Sequence, residues 1–109
     1  MIRSLACIAA FCIAMPASAA GEAAEPAAAR LNGCLLAGSS GAPRTNLREA
    51  VISVRSFCAP QIKRVRTQRV EAATKGLSEE AGKAAEDQAI RALNDEIALA
   101  IANFTGLTL

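Results

Sequence analysis

"NLREAVISVRSFCAPQIKRV" runs from Asn46 to Val65, and its apolar residues keep one rhythm across a proline. Leu47, Val51, Val54, Cys58, Ile62 and Val65 follow at steps of 4, 3, 4, 4 and 3 residues, the recurrence of one face of an α-helix. Asn46 opens the run with Glu49 three residues on, the spacing of a capping box. Pro60 removes one backbone donor and crowds the carbonyl of Ser56. The phase nevertheless passes through it. The pattern therefore predicts one helix over 46–75, kinked at Pro60; a new helix starting at Pro60 is the alternative.

Two shorter patterns flank this one. Upstream, Pro26 suits a first helical turn, and Ala28, Leu31, Cys34 and Leu35 share a face, which predicts a helix over about 26–37. "GSSGAP", Gly38 to Pro43, reads as a linker with three breakers. Downstream, Gly76 ends the central segment and Ser78 caps a third helix over 78–104, with Glu79 and Glu80 at the positive end of its dipole. Ala89, Ile90, Leu93, Ile97, Ala100, Ile101 and Phe104 form its inner stripe, and Gly106 stops it. No stretch alternates as a strand does. The expected fold is all-α, a small three-helix bundle or a helical hairpin plus third helix, as one domain over 21–109.

The first residues set the expected compartment. Arg3 precedes "LACIAAFCIAM", an apolar run of eleven from Leu5 to Met15. Pro16 follows, then "ASAA", small residues at the spacing a signal peptidase reads. Residues 1–20 are expected to be a signal peptide cleaved after Ala19 or Ala20. Eleven apolar residues are too few for a hydrocarbon core needing roughly twenty. "LNGC", Leu31 to Cys34, superficially resembles the box before a lipidated cysteine. Charged Glu22, Glu25 and Arg30 separate it from the apolar run, and Asn32 fits the box poorly. The expectation is a secreted protein, periplasmic in a bacterium.

Cleavage leaves two of the four cysteines, Cys34 and Cys58. In an oxidising compartment a lone pair in a small chain usually bonds. Both lie on inner helix faces, so an intramolecular disulfide between the first two helices is expected, with an intermolecular bridge as the alternative. A zinc centre wants four ligands, and the chain contains no histidine. No metal or cofactor is expected.

Charge is divided along the chain. Residues 44–75 carry a net +6, residues 76–109 a net −4. At 100° per residue Arg48, Arg55, Lys63 and Arg66 fall into one stripe beside the apolar face, a pattern that suits an anionic membrane or lipopolysaccharide surface. Nucleic acid is not expected as a partner, because stacking aromatics and groove-reading motifs are lacking. The simpler reading leaves these cations solvated or pairs them with the acidic third helix, at about 0–1 kcal/mol per exposed pair.

Catalytic groups are scarce. Without histidine the usual general base near neutral pH is missing. Ser39 and Ser40 have no partner base in the sequence pattern, and their bland reading is turn composition. "NFT", Asn103 to Thr105, matches a glycosylation acceptor but sits at a helix end. The expected function is therefore non-catalytic: an interaction or accessory module of the cell envelope, meeting a protein partner through a helical surface. Binding of anionic lipid or lipopolysaccharide through the stripe is the alternative. Ile52, Phe57 and Leu99 lie off the main stripes, which leaves a homodimer open.

Overall fold

Asn46 is extended (φ −160°, ψ 166°), and its Oδ1 accepts the Glu49 N–H at 2.8 Å, which satisfies one of the donors a helix start leaves orphaned. The structure, a computed structural model, describes residues 25–108. Its elements are helices α1 (Glu25–Ser40), α2 (Leu47–Phe57), α3 (Ala59–Thr74) and α4 (Glu79–Thr105). No strand occurs among the described residues. The expected signal peptide, 1–20, lies outside them.

The count is four helices rather than three, because the central segment divides at Cys58. Pro60 offers no N–H to the Ser56 carbonyl, and Cys58 relaxes to φ −104°, ψ 18°, towards the bridge region. The ladder resumes at once. Cys58 N–H donates to Val54 O at 2.9 Å, and Ile62 N–H donates to Cys58 O at 2.9 Å. A break this short preserves the phase, so Leu47, Val54, Cys58, Ile62 and Val65 are all buried. Val51 is only half-buried; the inner position beside it belongs to Ala50.

Helix α1 runs on through Gly38, Ser39 and Ser40, which composition assigns to the linker. Packing overrides composition here. A Cβ on Gly38 would stand 3.0 Å from Phe57 Cδ2 and 3.2 Å from Val54 Cγ1, so only a bare backbone lets α1 approach α2 this closely. Ser39 is buried, and Ser40 Oγ donates to Leu36 O at 3.2 Å, a bond inside the helix.

A disulfide joins Cys34 to Cys58, with Cα atoms 5.9 Å apart. Together with Gly38 against Val54, it makes α1 antiparallel to α2 and sets it over the break. Leu31 and Leu35 of α1 meet Leu93, Ile97 and Ile101 of α4 and the inner face of α2–α3 in one core. Beyond Val65 and Leu93 the packing thins. No residue from Arg66 to Ala92 is buried, and the seam of this α3–α4 hairpin is small: Ala73, Gly82, Ala85 and Ala89 are half-buried, and a Cβ on Gly82 would stand 3.9 Å from Thr74 Cβ.

At the far end, Gly106 adopts φ 75° and its N–H donates to Ala102 O at 2.8 Å, a left-handed helix stop that glycine adopts without strain. Arg44 Nη1 donates to Thr105 O at 3.0 Å, which ties the entry of α2 to the exit of α4.

Candidate functional site

An open groove of about 820 Å³ lies between the start of α2 and the last third of α4. Leu47, Val51 and Ile52 of α2 and Ala98 of α4 line it, together with the exposed Arg48 and with Asn46 and Thr108. Its apolar lining follows from local facts already described. Ala50 takes the inner position on α2, Val51 is left half-buried, and Ile52 is 57% exposed.

The four cations of the predicted stripe have different neighbours. Three follow the seam between α2–α3 and α4. Arg48 lines the groove with Ala98; Arg55 is half-buried, and its Nη1 donates to Asn94 Oδ1 at 3.2 Å; Arg66 lines a small crevice with Val70, Glu86 and Ile90. Lys63 instead joins Arg64 and Thr67 at a shallow depression on the outside of α3.

Pairing with the acidic helix is sparse. Among the described residues one ion pair lies within 4.0 Å, Arg69 with Glu96. It is bidentate: Arg69 Nη1 donates to Glu96 Oε2 at 2.7 Å, and Nη2 donates to Oε1 at 3.0 Å. The hydrogen bond to Glu96, opposed by partial burial and helped by the carboxylate charge, raises the Arg69 guanidinium above its ordinary value. Arg69 stands outside the predicted stripe, in a crevice beside Leu31 and Asn32 of α1.

Other candidate groups serve the frame. Ser39 is 1% exposed and its Oγ has no partner among the described residues, while Ser40 spends its hydroxyl on Leu36. Thr105 of the glycosylation tripeptide is buried and donates to Ile101 O at 2.7 Å. Among the described residues no three His, Cys, Asp or Glu side chains gather as metal ligands do, and no helix is long and apolar enough to cross a membrane.

The groove is the part of the site that the sequence pattern did not reveal. Ala98 and Thr108 carry no signal of their own, and only the off-stripe position of Ile52 pointed to it. No protein-family model, curated protein or solved structure matches the chain, so function rests on this geometry.

Proposed function

We propose that the chain is a small, non-catalytic interaction module of the bacterial cell envelope, secreted to the periplasm and held by its disulfide as a frame for protein recognition. The observation that carries this reading is the groove between α2 and α4, an apolar concavity with an exposed cation in its lining. Partner sites combine an apolar centre with a polar rim in this way. The Cys34–Cys58 bond supports the compartment, since structural disulfides persist where the environment oxidises. Placing a photocrosslinker at Ile52, and separately at Glu80 on the distal arm, tests the reading in the producing cells. A discrete protein adduct from Ile52 alone is expected. The same smear from both positions, or no adduct from Ile52, overturns it.

One observation favours a second reading, in which the protein binds an anionic membrane or lipopolysaccharide. Arg48, Lys63 and Arg64 are exposed, and none is in an ion pair within 4.0 Å among the described residues. Binding to anionic vesicles at low salt should then disappear when Arg48, Arg55, Lys63 and Arg66 are all changed to Gln. Unchanged binding removes this reading.

A further inference from the structure

The shape and charge of the α2–α4 groove narrow the partner's chemistry, an inference that rests on the interaction-module reading above. We infer that the groove receives an acidic amphipathic helix of a partner protein, whose bulky apolar side chain sits against Val51 and Ile52 while a carboxylate a turn away meets Arg48.

Length is the first argument. On α2 the lining runs only from Asn46 to Ile52, about 9 Å at 1.5 Å per residue. That matches one or two apolar side chains spaced a turn apart, as in helix-in-groove recognition. Form is the second. A membrane-seeking face projects its apolar side chains outward into the lipid boundary, whereas here Leu47, Val51 and Ala98 line a concavity. A recess of this kind accepts a knob from outside.

Charge is the third. Arg48 lines the groove, and Arg55, two turns further along the same seam, has a neutral partner, Asn94. Glu49 and Glu96 are the acids nearest in sequence to the lining; neither lines the groove, and Glu96 is taken up by Arg69. The one charged side chain of the lining is therefore the cation Arg48, and an approaching acidic helix is steered and oriented by it.

The test uses two synthetic helical peptides of about five turns with the same leucine face, one carrying Glu and the other Lys on its polar face. Binding to the intact protein is followed by NMR of the Leu47, Val51, Ile52 and Ala98 methyls. The Glu peptide is expected to shift these methyls and the Lys peptide to leave them. Arg48→Glu should weaken the Glu peptide about tenfold and reverse the preference, whereas Lys63→Gln on the outer face should change it by less than about twofold. Arg48 is exposed, so retained helicity of the variant by circular dichroism is expected. Equal shifts from both peptides, shifts confined to the Lys63 and Arg64 face, or groove shifts produced only by anionic phospholipid vesicles each overturn the assignment. Loss of the acidic-helix assignment while the Ile52 crosslink in cells persists leaves the interaction module standing. Loss of the crosslink removes both.

Discussion

The ring of Phe57 lies directly against Gly38, where a methyl group would meet Cδ2 at 3.0 Å and Val54 Cγ1 at 3.2 Å. Phe57 is 63% exposed and can swing aside, but Val54 is fully buried and cannot. Gly38→Ala therefore gains about 0.5–1 kcal/mol of helix propensity and loses about 1–3 to overpacking. The net is a destabilisation of roughly 1–2 kcal/mol. Gly33 sits in the same helix with nothing within 4 Å of a Cβ, so Gly33→Ala should stabilise by about 0.5–1 kcal/mol. Urea denaturation of the two variants reads both; equal shifts of the same sign would show that α1 does not approach α2 as described.

Removing the disulfide should be the most costly change. The bond closes a sequence separation of 24, a loop whose constraint on the unfolded chain amounts to roughly 3.5 kcal/mol. Cys58 is also completely buried, so a smaller side chain leaves a void. The double variant Cys34→Ala, Cys58→Ala should lose about 3–5 kcal/mol, and reductant should destabilise the parent protein but not the variant. A loss below about 1 kcal/mol contradicts the staple.

The Arg69–Glu96 pair should count for little despite its geometry. Its side chains are 38% and 56% exposed, so Glu96→Gln is expected to cost about 0–1 kcal/mol, less at high salt. A raised guanidinium value means that stability from this cation is present below the arginine range and lost only as pH rises past it. The difference between parent and variant should thus stay constant from about pH 7 to 10. A difference that fades within that window argues for another partner.

Much of the frame was legible because it depends on local chemistry. Asn46 and Ser78 act as caps, Gly106 stops the last helix, and the apolar phase from Leu47 to Val65 predicts the buried face. The departures have tertiary causes. Gly38, Ser39 and Ser40 look like a linker and are helical, with α2 packed against Gly38. The break falls at Cys58 rather than as a bend within one helix, because the chain relaxes two residues before the proline that forces it. Charge pattern allowed these cations to be solvated or paired with the acidic helix, and the pair that forms uses Arg69, on the α1 side of α3. The groove brings Ile52 and Ala98 together, 46 residues apart in sequence, and no periodicity reports such a meeting.

Burial also predicts where the molecule opens first. From Arg66 to Ala92 no side chain is buried, whereas 47–65 and 93–105 hold most of the core. Native-state hydrogen exchange should show the lowest opening free energies for helical amides of 66–92, and near-global values for Val54, Ile62 and Ile97. Uniform protection along α3 and α4 would mean that the arm is covered in solution.

The frame and the groove it presents depend on Cys34 bonding to Cys58 within one chain, and the proposed periplasmic setting is one in which such a bond persists. Intact-mass measurement of the protein recovered from its native cells, before and after reductant, tests this most directly. A monomer that starts near residue 20 or 21 and gains the mass of two hydrogens on reduction is the predicted result. A monomer of unchanged mass, or a dimer that reductant separates, would contradict it.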